Sequence, residues 1–241
     1  ANGNPAGNFS GTDEGLTLPN DGALNTGTYD EKTFHLTFTT GTDLSGFQVI
    51  YEQGGNARGY SLSIVDGNLY AFAYNEVEWA TGQQFASIDL GPVEANTTYT
   101  AVMIHDATAA ALADRTWTAW LNGEQKGQVA NVDVQFGHPG TSMGGAVDGN
   151  TVHPVTFADD NGPAAFNGSV SSFCYWNDAL TADQVEVLFA EQNDDWGTPS
   201  STGDEDTAIA FNLPNDIAPA DQDGSESLVD VTIGAIPEGT V

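Results

Sequence analysis

Apolar and polar residues alternate one by one through Thr33-Phe34-His35-Leu36-Thr37-Phe38-Thr39. That period places Phe34, Leu36 and Phe38 on one face of an extended strand and His35 and Thr37 on the other. A helix would scatter the same residues around its circumference. The pattern recurs between turn residues. Residues 60–74 read as a hairpin around Asp66-Gly67, and residues 117–128 as another around Asn122-Gly123, because these dipeptides tolerate the positive φ of a type I′ turn. Further strands are expected at 47–51, 98–105, 152–157 and 166–176. Many short strands, with 28 glycines in the chain, predict an all-β fold, an antiparallel sandwich of two packed sheets. On this reading His35 is a solvated or locally satisfied residue on the exposed face. The single cysteine, Cys174, lies in the apolar run Phe173-Cys174-Tyr175-Trp176 and is expected to be a small buried residue. It excludes an intramolecular disulfide framework and zinc–thiolate clusters.

One short helix is predicted, over 182–192. Thr181-Ala182-Asp183-Gln184 is a capping box, in which the Thr hydroxyl and the Gln amide satisfy each other's orphan backbone donors. Val185, Leu188 and Phe189 follow at helical spacing. Residues 107–113 are expected to add a helical turn. After Trp196 the run Gly197-Thr198-Pro199-Ser200-Ser201-Thr202-Gly203 reads as a linker. The expected organisation is therefore a sandwich at 1–196, a linker at 197–203 and a partial module at 204–241. Two strands, 207–213 and 227–233, are too few to close a core in that last segment.

Charge narrows function. The 241 residues carry 34 acidic side chains against four cations, a net charge of −30. Lys32, Arg58, Arg115 and Lys126 cannot neutralise a row of phosphates, so nucleic acid is excluded as a partner. No apolar run approaches a membrane span of about 20 residues, and no membrane insertion is expected. The last 115 residues hold 19 acids and no Lys or Arg, so ion pairing cannot quiet them. Two readings stand: a solvated acidic surface, and divalent cations held by hard oxygen ligands in Asp/Asn/Gly-rich loops, which suits calcium.

Motif order carries a resemblance. Val49-Ile50-Tyr51-Glu52-Gln53-Gly54-Gly55, Arg58-Gly59-Tyr60-Ser61-Leu62, Gly67-Asn68-Leu69-Tyr70 and Trp120-Leu121-Asn122-Gly123 are followed by Phe166-Asn167-Gly168-Ser169-Val170 and Trp176-Asn177-Asp178-Ala179-Leu180. In this order they resemble the laminin-G-like, concanavalin-A-like jelly-roll family, which implies a lectin-like sandwich. Where that family often has an acidic pair, this chain has Ser171-Ser172. The tail, with Asp204-Glu205-Asp206-Thr207 and Asp221-Gln222-Asp223-Gly224-Ser225-Glu226, resembles the immunoglobulin- or cadherin-like repeats of large bacterial repeats-in-toxin (RTX) adhesins. That resemblance implies several calcium ions at domain junctions, held by Glu205, Asp206, Asp221, Asp223 and Glu226. It also implies neighbouring repeats in the same chain and a monomer at the bacterial cell surface, exported as part of a larger protein.

Two stretches are candidate ligand sites. Residues 141–165 contain Asp148-Gly149-Asn150 and Asp159-Asp160-Asn161-Gly162. Carboxylates at 148, 159 and 160 with the Asn161 amide supply oxygens for a calcium ion whose open position accepts a sugar hydroxyl or a carboxylate; the alternative is an exposed acidic loop. Asn75-Glu76-Val77-Glu78-Trp79 offers a flat indole face between the acceptors Glu76 and Glu78, with core packing of Trp79 as the alternative. Arg58 can pair bidentately with a ligand carboxylate or anchor a loop through a local Asp. No nucleophile elbow, phosphate-binding loop or zinc motif appears, so no catalysis is expected. The expected function is calcium-dependent binding of a glycan on another cell or surface. Short peptide C-termini are the alternative ligand, with a spacer module or a glycoside hydrolase further behind.

Overall fold

The computed structural model describes residues 7–12, 15–55, 58–75, 85–134, 140–145 and 165–193. The chain divides into two units, Ala1–Asp194 and Asp195–Val241, and every described residue belongs to the first. The first unit is a jelly-roll β-sandwich of two six-stranded antiparallel sheets. The first sheet is ordered β1 (Gly7–Ser10), β12 (Asn167–Trp176), β3 (Glu31–Thr40), β8 (Thr98–Asp106), β9 (Thr116–Leu121), β10 (Glu124–Ala130). The second is ordered β2 (Leu16–Leu18), β11 (Thr141–Met143), β4 (Phe47–Gly55), β5 (Arg58–Val65), β6 (Asn68–Asn75), β7 (Phe85–Pro92). The predicted strand 152–157 and the two tail strands lie outside the described residues.

Both predicted hairpins form with the expected backbone. Asp66 and Gly67 have φ of 46° and 82°, Asn122 and Gly123 of 50° and 83°. The flanking pairs Val65↔Asn68 and Leu121↔Glu124 close two-residue loops, whose twist matches that of the strands. Phe34, Leu36 and Phe38 are fully buried, as the alternation requires, and join Ile50, Leu62 and Ile64 of the opposite sheet in one core cluster.

The helix forms as α1 (Ala182–Asn193). Its capping box is made: the Thr181 backbone N–H donates to Gln184 Oε1 at 2.8 Å, and the Gln184 N–H to Thr181 Oγ1 at 3.4 Å. Val185 and Phe189 bury themselves against Val102, Ile104 and Trp120 on the outer face of the first sheet. The reading of His35 as a solvated residue is also corrected. The residue does lie opposite the Phe34 face, in register with Val102, but it is only 5% exposed and meets the Trp176 ring edge-on at 6.4 Å. The corner leading into the helix is tied to β3, where Thr33 Oγ1 donates to the Asp178 carbonyl at 2.7 Å and accepts from the Leu180 N–H at 3.1 Å.

Cys174 is exposed rather than buried. Its neighbours Phe173 and Tyr175 pack against the core, so the alternation turns Cys174 outward. The helical turn expected at 107–113 forms as a 3-10 turn at the end of that stretch, Leu112–Asp114.

Candidate ligand-binding surface

Most residues nominated from the sequence fall outside the described residues. Glu76, Glu78 and Trp79 belong to the connection from β6 to β7. Asp148, Asp159, Asp160 and Asn161 belong to the connection from β11 to β12. Glu205, Asp206, Asp221, Asp223 and Glu226 lie beyond Asp194. Arg58 is placed: it opens β5, with its backbone paired to Gly55 and Asn75. The connections β4–β5 and β6–β7 therefore leave the second sheet at the same end. Among the described residues, no group of three His, Cys, Asp or Glu side chains could hold a metal ion, and no helix is long and apolar enough to cross a membrane.

The described part of the sandwich contains an internal ammonium. Lys32 is fully buried at the start of β3. Its Nζ donates to the carbonyls of Ala23 and Leu24 at 2.7 and 2.9 Å and to Asn177 Oδ1 at 2.7 Å. The Tyr29 ring lies under the cation at 3.6 Å and the Tyr175 ring at 5.0 Å, a geometry that attracts a desolvated cation. One charge thus ties the β2–β3 connection to the segment that follows β12. Burial pulls the Lys32 pKa down to about 8, opposed by Asp21. The sequence carried a signal for this: Lys32 shares the strand parity of Phe34, Leu36 and Phe38 and so faces inward.

A second buried polar group pins the segment after β10. Val134 N–H reaches His105 Nε2 at 3.4 Å, His105 Nδ1 is 3.1 Å from the Tyr60 hydroxyl, and Tyr60 donates to the Val134 carbonyl at 2.8 Å. Because Nε2 accepts, the proton resides on Nδ1 and the ring is neutral. Beside it Arg115 pairs with Asp133 at 2.9 Å. Burial pushes the His105 pKa down to about 4, against the pull of Asp133, Asp106 and Asp30. The folded pKa is below the ordinary value, so the unfolded chain takes up the proton first as pH falls. Stability is then full above pH 6.5 and declines toward pH 4, by up to about 3 kcal/mol. Urea titrations at pH 7 and 4.5 should show this loss in the native chain and a smaller one in His105→Gln. Equal losses in both proteins would remove His105 as the cause.

The outer face of the second sheet has an unusual composition. One rung runs Thr17–Ser142–Glu52–Ser61–Phe72–Ser87 across the six strands, and another carries Ser63, Tyr70 and Asp89. Leu69, Ala71 and Ala73 of β6 fill the core, and the alternate residues Tyr70, Phe72 and Tyr74 are also aromatic. Their rings continue into Phe85 of β7. Tyr70 and Phe72 stack at 5.6 Å and 6°, Phe72 meets Phe85 at 5.4 Å, and Tyr74 meets Phe85 at 6.2 Å. Burial decreases across the sheet. Glu52, Ser61 and Phe72 are fully buried, Tyr70, Tyr74 and Phe85 are half-buried, and Ser87 and Asp89 on β7 are exposed. Sequence reasoning passed over this run, although apolar residues on both faces of 69–74 are a sign of a strand whose outer side is not left to water.

No protein-family pattern matches the sequence, and no curated protein matches it. Solved structures do match in shape. A heptameric SAP-like pentraxin from Limulus polyphemus superposes with a TM-score of 0.53 at 17% identity, over 76% of this chain and 80% of that one. Botulinum neurotoxin type C gives 0.51 at 10% identity, over 73% and 39%. Domains LG4-5 of the mouse laminin alpha1 chain give 0.51 at 12%, over 74% and 43%. This chain therefore spans less than half of the toxin and laminin chains. At these identities the likeness is one of fold, and the fold is the lectin-like jelly roll.

Proposed function

We propose that this chain is the calcium-dependent ligand-binding domain of a secreted bacterial adhesin, and that it holds glycans on other cells or surfaces without turning them over. The observation that carries the reading is the four-ring aromatic run on the outer face of a jelly-roll sheet, bordered by the exposed Ser87 and Asp89. Ring faces with a few polar groups beside them suit the apolar faces and hydroxyls of a sugar. The toxin that shares this fold depends on interaction with two ganglioside molecules to pass into cells, which supports a glycan. Calcium follows from charge: −30 on 241 residues leaves clustered carboxylates without counter-ions. Asp148, Asp159, Asp160 and Asn161 are the proposed ligands in the sandwich, and Glu205, Asp206, Asp221, Asp223 and Glu226 those at a junction with the following repeat. Residues 204–241 then begin the next unit of a cell-surface array, in a chain that acts as a monomer.

Chromatography on dextran and agarose in millimolar calcium tests the reading. Retention is expected, with release by free sugar or by chelator. Passage without delay, combined with retention on peptides bearing a free C-terminal carboxylate but not on their amidated forms, would replace the glycan by a peptide.

A further inference from the structure

We propose that Tyr70, Tyr74 and Phe85, with Ser87 and Asp89 beside them, form a platform that selects neutral oligosaccharides and turns acidic ones away. The inference rests on the glycan reading above and specifies both its site and its ligand class.

The site follows from parity and exposure. On β6 the core is filled by Leu69, Ala71 and Ala73, so the rings at 70 and 74 are not needed there, and they remain half-buried on the outside. Phe72 is fully buried and touches the Tyr70 ring on one side and the Phe85 ring on the other. It thereby fixes the two flanking rings. On β7, Ser87 and Asp89 project from the same face and are exposed. Asp89 Oδ1 accepts the Gly91 N–H at 2.8 Å, which orients the carboxylate at the rim. Fixed rings with a hydroxyl and a carboxylate alongside can stack a pyranose and accept hydrogen bonds from its hydroxyls.

The ligand class follows from where the cations are. The chain has four. Lys32 is buried on three oxygens, Arg115 is paired with Asp133, and Lys126 with Glu124. Three of the four cations are therefore engaged within the sandwich. A sialylated or sulfated glycan would bring its charge beside Asp89, on a molecule of net charge −30, without the basic cluster that anion recognition uses. A neutral sugar meets no such penalty.

The test titrates the whole chain in millimolar calcium with neutral gluco-, galacto- and manno-oligosaccharides and with sialyllactose. The same titrations are run on Tyr74→Ala and on the double variant Ser87→Ala/Asp89→Asn, whose replaced side chains are exposed. The native chain is expected to bind a neutral sugar and not sialyllactose. Tyr74→Ala should weaken binding about tenfold, the double variant should also bind more weakly, and both should keep the native melting temperature within a few degrees. Neutral binding unchanged in both variants would overturn the platform while leaving the glycan reading in place. Sialyllactose bound as tightly as any neutral sugar would overturn the selectivity. No binding of any glycan by the native chain would remove the functional reading itself, and the platform with it.

Discussion

Replacing Lys32 by methionine is expected to destabilise the sandwich by about 3–6 kcal/mol, because three hydrogen bonds from a charged donor, worth about 1.5–3 kcal/mol each, are lost and water replaces the ammonium only at the two part-buried acceptors. Methionine retains most of the apolar stem, so packing changes little. What disappears is the ammonium between Ala23 O, Leu24 O and Asn177 Oδ1, and with it the attraction to the Tyr29 and Tyr175 rings. For a domain of this size the melting temperature should fall by about 10–20 °C. The damage should concentrate at the β2–β3 connection and the segment after β12, readable as faster amide exchange at 21–29 and 177–180. A methionine variant within about 1 kcal/mol of the native chain would mean that the ammonium does not hold these segments.

Chelation is expected to give the second large effect, because the proposed calcium ions would be lost. An ion bound a thousandfold above its dissociation constant contributes about 4 kcal/mol to the folded state, and each kcal/mol moves the melting temperature of a domain this large by about 2–4 °C. Even one such ion makes chelation lower the transition by roughly 10 °C. The carboxylates at 148, 159 and 160 would then repel each other without a counter-ion. Calcium added back should restore the transition, whereas an equal concentration of sodium supplies only screening. Identical melting curves in chelator and in calcium would show that the acidic stretches are solvated surface.

The two hairpins and the strands β3, β4, β8 and β12 were readable because their information is local, whereas β1, β2, β7 and β11 were not anticipated. Alternation through 33–39 and the Asp66-Gly67 and Asn122-Gly123 turns specify pairing within a few residues, and the capping box from Thr181 to Gln184 specifies the helix start in the same way. What covers a sheet is decided elsewhere in the chain. His35 is 5% exposed and meets the ring of Trp176, a residue 141 positions later in the chain, and no pattern around His35 encodes that. Cys174 failed for a related reason: an unbroken apolar run was read as core, but in a strand only every second residue faces inward, and Phe173 and Tyr175 took those places. Lys32 was legible by parity and overlooked as a charge. The candidate metal ligands were chosen by residue type in glycine-rich stretches, and those stretches lie outside the described residues. The aromatic run on β6 and β7 was visible as alternating ring and small residues, yet its meaning depended on knowing that Leu69, Ala71 and Ala73 already fill the core.

The central claim is that calcium and a glycan bind this sandwich together. Calorimetric titration of one preparation with a neutral oligosaccharide, first in millimolar calcium and then in chelator at a temperature where the chelated chain is still folded, tests it directly. Saturable heat in calcium and none in chelator is the expected result. The same heat in both solutions, or none in either, would contradict it.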